Sequence, residues 1–341
     1  MKTIAMCALL AALAFGLLPG NRDEAAAPDE GLVLLVETRE EAEAPRKAAS
    51  AQQNESEAIM TQTAPDAQTV RLLDGGAVTA LSMEDYLTGV LLSEMPADFE
   101  PEARKAQAVA ARTFTCRKLL QPKHENADVC AEASCCQAWT SREQLRQKYG
   151  ASFDAVWSAA REAVRQTAGQ VLTYDGQLID AVYFSCSGGA TEAAVAVWGT
   201  DVPYLQAVES PGEEAAPRFS SRAVFSPEEF SQRLMQENPD VQLSGSPDAW
   251  LGEMTRSAGG GVAACSIGGV SFSGTQLRRM FGLNSTRLTL SYQDGDFVFD
   301  VTGFGHRVGM SQYGAQTMAQ LGFSYQTILQ YYYQGAEVER Q

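Results

Sequence analysis

Two prolines, Pro96 and Pro101, stand in the otherwise helix-forming stretch LLSEMPADFEPEARKAQAVAARTF (residues 91–114) and dictate where helices begin and end. Proline lacks an N–H and restricts the residue before it, so a helix running through EDYLTGVLLSEM must stop near Glu94 and Met95. Pro101 suits the first position of a second helix, PEARKAQAVAARTFTCRKLL. Ser82 can cap the first helix, with Glu84 and Asp85 in the turn where the helix dipole favours negative charge. Glu94 is thereby placed at the C-terminal end of one helix, beside the start of the next. A carboxylate there meets an unfavourable dipole, and Leu91, Leu92 and Met95 strip it of water, so both effects push its pKa upward. An acid of this kind keeps its proton near neutral pH and can donate it to a glycosidic oxygen. A glutamate at a helix end is also ordinary solvated surface, and this stretch alone leaves both readings open.

With 341 residues, of which 45% are hydrophobic and 20% charged, the chain can bury a large core. Its length suggests about two domains, or one large one, at ~150 residues each. A net charge of −16 argues against docking on a nucleic-acid backbone, which needs clustered Lys and Arg. The start, MKTIAMCALLAALAFGLLPG, sets one Lys before an apolar run from Ile4 to Leu18, roughly 15 residues where a spanning helix needs about 20. Residues 1–20 are therefore a signal or an N-terminal membrane anchor, of which we favour the anchor, and either implies an extracytoplasmic location. Cys7 lies inside the run, which argues against a lipid-bearing cysteine at a mature N-terminus. Residues 21–69, rich in Ala, Glu, Gln, Pro and Ser, cannot bury enough apolar surface to order themselves and read as a disordered acidic linker. GLVLLV at 31–36 is a stray strand there, without assigned function.

The organised region begins near Val70. RLLDGGAVTALSM reads as a hairpin with a Gly-Gly turn. SREQLRQKYG and SFDAVWSAAREAVRQTAG read as helices, and QVLTYDGQLIDAVYFSCSGGATE as strand, Asp-Gly turn, strand. SPEEFSQRLMQ is a capped helix, VAACSIGGVSFSG a hairpin, TQLRRMFGL a short helix and TRLTLSYQDGDFVFDVTG another hairpin, with GEMTRSAGGG as a loop. Hairpins and helices without a βαβ rhythm indicate an α+β fold.

HENADVCAEASCCQAW brings His124, Cys130, Cys135 and Cys136 into one loop, with the imidazole and thiolate donors that tetrahedral zinc prefers. His124, Cys130 and Cys136 are the firmer ligands, and Cys135, adjacent to Cys136, is the fourth candidate. Such a loop more often holds a structural zinc than a catalytic one. Disulfides among these and Cys116, Cys186 and Cys265 are the competing reading in an exported protein. Further along, Ser185, Ser187, Gly188, Gly189 and Thr191 form a hydroxyl-rich turn that can bring backbone and O–H donors to a ligand. No G-x-S-x-G elbow accompanies it, which argues against a serine hydrolase. Last, GFGHRVGMSQYGAQTMAQLG presents His306 between glycines, before a helix that Ser311 or Gln312 caps. A lone histidine in such a turn is also a common structural element. Tyr331, Tyr332 and Tyr333 fit either the core or a sugar-stacking surface.

In order and without large gaps, EDYLTGVLLSEMPADFEPEARKAQAVAARTF, AVYFSCSGGATE with VWGTDVPYLQAVESP, FSGTQLRRMFGLNSTRLTL and GFGHRVGMSQYGAQTMA resemble the motifs of the family shared by stage II sporulation protein D and the amidase enhancers. The resemblance covers residues 70–338. It implies a two-lobed catalytic region with a groove and the activity of a lytic transglycosylase. Such an enzyme cuts glycan strands stripped of peptide between N-acetylmuramic acid and N-acetylglucosamine during engulfment of the forespore. It also implies a partner amidase and a membrane scaffold protein of the engulfment machinery. Glu94 falls on the family's catalytic glutamate. Tyr183, Ser185, Ser187, Gly188, Gly189, Thr191, His306, Ser311 and Gln312 would line the groove and orient the sugar. Two departures stand out: Arg307 replaces a common Gly, and Cys135 stands where a His often precedes the last Cys. A non-catalytic enhancer of a peptidoglycan amidase and a zinc-dependent hydrolase are the alternatives.

Overall fold

A computed structural model describes residues 69–341; the expected signal or anchor and the linker with its GLVLLV run lie outside them, apart from Thr69, the last residue assigned to the linker, which already belongs to the first strand. Among the described residues no helix is long and apolar enough to cross a membrane. The architecture is α+β, and its apolar side chains gather into two cores.

The first core is built on a hairpin of β1 (Thr69–Asp74) and β2 (Ala77–Ser82), which turns at Gly75 and Gly76. Both glycines have positive φ, +55° and +87°, the combination a tight two-residue hairpin needs. Ser82 then caps α1 (Met83–Glu94) by accepting from the Asp85 N–H, and Met95 ends it ahead of Pro96. Pro101 opens α2 (Pro101–Leu120), whose Ala103, Ala106, Ala108, Ala110 and Ala111 are buried and let neighbouring helices approach closely. A short β3 (Val129–Cys130) pairs parallel with β1, so the cysteine loop hangs from the hairpin. Ser141 and Gln144 form a capping box on α3 (Arg142–Tyr149), and α4 (Phe153–Gln166) buries Phe153, Trp157, Ala160 and Val164. Arg112, fully buried, fastens α2 to α4 by donating to the Val164 carbonyl at 3.0 Å.

β4 (Gln170–Tyr174), β5 (Gln177–Leu178), β6 (Tyr183–Phe184), β7 (Gly189–Ala190), α5 (Ala194–Trp198) and β8 (Glu209–Ser210) complete the first passage through this core. The second core then forms entirely from the following segment. β9 (Ser220–Phe225) leads into α6 (Pro227–Glu237), capped by a Ser226–Glu229 box. β10 (Leu251–Arg256), β11 (Val262–Ile267) and β12 (Val270–Phe272) make one sheet. α7 (Gly274–Phe281) precedes β13 (Arg287–Gln293) and β14 (Asp296–Thr302), which join β9 in another. Phe230 stacks on Phe297 with ring centroids 3.8 Å apart and on Phe281 at 5.0 Å, the centre of this core. The chain returns to the first core through β15 (Met310–Ser311), α8 (Gln312–Gln320), α9 (Tyr325–Tyr332) and β16 (Glu337–Arg340).

Two expectations need correction. The strand after the Asp175–Gly176 turn does not run through to the serines: only Gln177 and Leu178 pair with β4. The opposite edge of β4 is taken by β16, and β6 peels away to pair parallel with β15, Met310 opposite Tyr183 and Ser311 opposite Phe184. GEMTRSAGGG is not all loop, because Leu251–Arg256 is β10, paired with β11 through an irregular register. Its mostly exposed, weakly alternating side chains give no apolar period to detect. Of the terminal tyrosines, Tyr332 and Tyr333 are core residues.

Candidate active site

Glu94 sits where the prolines place it, at the last turn of α1, with Leu91, Leu92 and Met95 buried around it. The residue is half-buried, but its carboxyl end is enclosed by protein. Oε1 accepts from the Ala138 N–H at 2.8 Å, and Oε2 faces the Gln312 side-chain amide at 3.4 Å. Loss of water raises its pKa from about 4.5 to about 7, outweighing the two hydrogen bonds that pull it down. Beside it lies a polar network centred on buried Gln137. That amide donates to Tyr86 Oη at 3.2 Å and Thr115 Oγ1 at 3.0 Å and accepts from Tyr183 Oη at 2.7 Å. Burial, and next the Glu94 charge, hold the Tyr183 phenol well above its ordinary pKa, so it serves as a neutral hydrogen-bonding group.

The segment that supplies Gln137 and Ala138 follows directly on the cysteine loop. Cys135 and Cys136 both donate their N–H to the Glu132 carbonyl, a tight turn that swings both thiols toward His124. Each Sγ lies 3.6 Å from His124 Nε2, and the donor atoms of His124, Cys130, Cys135 and Cys136 all fall within 4.8 Å of one another. Zn–S bonds of about 2.3 Å and Zn–N bonds of about 2.1 Å at tetrahedral angles require an S···N separation of about 3.6 Å, so the four side chains fit zinc. Adjacency of Cys135 and Cys136 is therefore no obstacle to a joint site. The described cysteines are all free, so the disulfide reading finds no pair here. Burial pushes the Cys136 thiol up to about 12, and a cation is what would make its thiolate favourable. Four protein donors would close a tetrahedral shell, as in structural zinc sites.

The hydroxyl-rich turn does reach this region, but much of it points inward. Ser187, Thr191 and Ser311 are fully buried. Their hydroxyls serve the fold: the Ser187 and Ser311 hydroxyls donate to Glu213, at 2.8 and 2.5 Å, and the Thr191 hydroxyl accepts from the Val208 N–H at 2.9 Å. Glu213 was not legible as a site residue. It is 1% exposed and also accepts from the N–H groups of Ser187 (2.5 Å) and Gly188 (3.0 Å) and from Ser210 Oγ (2.6 Å). Ser311 caps α8 by accepting from the Gly314 N–H, and its hydroxyl, which donates to Glu213, lies 3.3 Å from the Ser185 carbonyl. Gln312, next in sequence, thus turns to Glu94 instead of capping. The structure accordingly brings Glu94, Gln312, Ser311, Ser185 and Tyr183 together around the β6–β15 pair. His306 stands beside Phe184 and Trp198, with ring centroids 5.6 and 5.4 Å away, and its Nδ1 accepts from the Val308 N–H at 3.1 Å.

Arg307, the departure beside it, adopts φ +67°, a conformation unusual outside glycine. It is fully buried and pairs with Glu192 at 3.0 Å. It also donates to the Ser187, Ala190 and Gly259 carbonyls at 2.8, 2.7 and 2.6 Å. Glu192 Oε1 in turn accepts from Ser257 Oγ and the Gly261 N–H, so this pair clasps the hydroxyl-rich turn to the loop before β11. These contacts offset the backbone strain.

Comparison with known proteins agrees with the motif order. The family model described as stage II sporulation protein matches residues 74–174, which hold Glu94 and the cysteine loop. The chain is 38% identical over 269 residues to stage II sporulation protein D of Bacillus subtilis, covering 77% of this chain and 76% of that protein. It is 37% identical to stage II sporulation protein D of Bacillus amyloliquefaciens, covering 77% and 75%. To the amidase enhancer of Bacillus subtilis it is 30% identical, covering 73% of this chain and 39% of that protein. With its motifs in order and this identity sustained over three quarters of both proteins, the chain belongs to the stage II sporulation protein D family.

Proposed function

We propose that this protein is a lytic transglycosylase. It would cut peptidoglycan glycan strands freed of peptide, between N-acetylmuramic acid and N-acetylglucosamine, during endospore formation. The observation that carries the reading is one carboxyl group enclosed by protein and held by the Ala138 N–H and Gln312, whose pKa burial pushes up to about 7. The nearby buried acids, Glu192 and Glu213, are engaged by internal donors. Hydrolysis of a glycoside normally uses two carboxyl groups, one of them to activate water or act as nucleophile. Lytic cleavage needs one, because the muramic acid C6 hydroxyl is the nucleophile. Protonated Glu94 gives its proton to the glycosidic oxygen as the C1–O bond breaks. The C6 oxygen then bonds C1, and its proton passes to the Glu94 carboxylate, which restores the acid. Acid–base assistance of this kind is worth roughly a hundred- to ten-thousand-fold in rate. Ala138 N–H and Gln312 hold the carboxyl in place, while Tyr183, Ser185 and His306 offer contacts to the sugar. Zinc bound by His124, Cys130, Cys135 and Cys136 would brace the loop carrying Ala138. Membrane anchoring through residues 1–20, an extracytoplasmic site of action, a partner amidase and a membrane scaffold protein complete the proposal.

The test is incubation of the purified protein with denuded strands and mass detection of 1,6-anhydro ends. Product should form with wild type and not with Glu94→Gln. Because the acid form does the first step, the rate should fall as pH rises through about 7. Full activity of Glu94→Gln would end the mechanism. Similarity to an amidase enhancer favours one other reading, stimulation of a partner hydrolase without cutting. In that case Glu94→Gln would still stimulate peptide release by an added amidase, and neither form would yield anhydro ends.

A further inference from the structure

Arg287 opens β13 at the edge of the second core and is half-buried. Its guanidinium lies between two backbone turns: a Cβ on Gly189 would come within 3.4 Å of Nη1, and one on Gly260 within 3.2 Å. Both glycines have positive φ, +117° and +78°, so the chain presses bare backbone against the guanidinium from the hydroxyl-rich turn on one side and the loop before β11 on the other. The cation is thus held in position. Yet among the described residues no carboxylate pairs with it.

The neighbouring charges sharpen this. Asp300 shares the same face of the sheet, since Arg287 stands opposite Thr302 and Thr289 opposite Asp300, but Asp300 pairs with Arg222 across the strand at 3.2 Å. The Arg307 guanidinium is pulled below its ordinary pKa by burial and further by the Arg287 charge, against the opposing pulls of Glu192 and Glu213, and Arg256 donates to the Gly260 carbonyl at 3.4 Å. Glu192 is already committed to Arg307, Ser257 and Gly261. Both carboxylates that act on Arg307, Glu192 and Glu213, are held by internal donors, and neither forms an ion pair with Arg287, which stands beside the turn of Ser187, Gly188 and Gly189. That turn is linked to the acid through the hydrogen bonds of Glu213 and the peptide bond between Ser311 and Gln312. Glu213 holds Ser187 and Gly188 on one side and Ser311 on the other, and Gln312 faces Glu94.

We propose that Arg287 is a specificity-determining residue that receives the lactyl carboxylate of a muramic acid unit along the glycan bound at Glu94. The inference rests on the glycan-cleaving reading and deepens it. While a peptide is attached, the lactyl group ends in a neutral amide. Once the peptide has been removed it ends in a carboxylate, the planar anion that a guanidinium grips with two parallel hydrogen bonds. Placed along the bound glycan, a guanidinium without a carboxylate partner would distinguish stripped strands from intact ones by charge at the cut position of the stem.

The experiment compares denuded strands carrying the free lactyl carboxylate with the same strands as methyl esters, using the full-length protein. Wild type should favour the acid over the ester by about tenfold to a hundredfold in kcat/KM, the worth of a charged two-point contact. In Arg287→Gln that ratio should fall to about one, and in Arg287→Lys, which keeps the charge but not the fork, it should be intermediate. Unfolding midpoints of both variants report whether the second core is intact, and the lysine variant keeps the test open should the glutamine variant misfold. Equal treatment of acid and ester by wild type, or an undiminished ratio in Arg287→Gln, would overturn the proposal. Strand affinity, measured in a Glu94→Gln background where nothing is cut, should show the same preference and the same loss. A binding preference that depends on Arg287 in a protein that cuts neither substrate would remove the enzymatic reading and leave the carboxylate site standing.

Discussion

Replacing Glu94 by glutamine should make the protein more stable above neutral pH, although it removes the proposed acid. In the folded protein the carboxyl holds its proton up to about 7, whereas in the unfolded chain it releases it near 4.5. The folded state thus binds the proton more tightly. Stability from this group is fully present below about 4.5 and is lost as pH rises through about 7. Each pH unit of that gap corresponds to about 1.4 kcal/mol, so ionised Glu94 costs about 3 kcal/mol at alkaline pH. Glutamine carries no charge, can still accept from the Ala138 N–H, and can meet Gln312 once that amide turns over. The variant should therefore gain about 2–3 kcal/mol over the parent at about pH 8 and almost nothing at about pH 4.5. Denaturant unfolding followed by tryptophan fluorescence at several pH values measures the difference directly. A variant no more stable than the parent at the higher pH, or an advantage independent of pH, would show that the carboxyl is not desolvated as described.

Two further outcomes follow from the surroundings of the acid. Chelation, or Cys130→Ser, should lower the melting midpoint by at least about 5 °C and reduce cutting with it, because the loop that loses its ion carries Ala138; elemental analysis showing a metal-free native protein of unchanged stability would refute the zinc site. Glu213→Leu should cost about 3 kcal/mol or more, since it strands the buried Ser187 and Gly188 N–H groups, and should slow production of anhydro ends without touching the acid; an unchanged unfolding curve would contradict that role.

How much of this was legible from residues alone depends on what kind of atom does the work. Pro96 and Pro101 determine helix ends through covalent geometry, and so the position of Glu94 could be read directly. The helix caps at Ser82, Ser226 and Ser311 have side-chain signatures, and each is realised. The cysteine loop announces itself by its donor types, although the turn that lets Cys135 and Cys136 converge rests on backbone bonds to Glu132. By contrast, the closest donor to Glu94 is the N–H of an alanine, which no side-chain pattern marks. Glu213 lies between Pro211 and Pro217 in a stretch without periodicity, and nothing near it in sequence predicts the five donors that converge on it. The serine turn was read as a surface for ligands, whereas tertiary packing draws its hydroxyls inward to that carboxylate. Arg307 was noted only as a substitution for glycine; its buried partner, Glu192, is visible only once the chain is folded.

The separation of 218 residues between Glu94 and Gln312 has a temporal side. A chain being synthesised presents its glutamate long before the amide that steadies it, and β16, which pairs with β4 in the first core, follows later still. On the proposed mechanism, a partly made chain would hold the acid without the amide that steadies it.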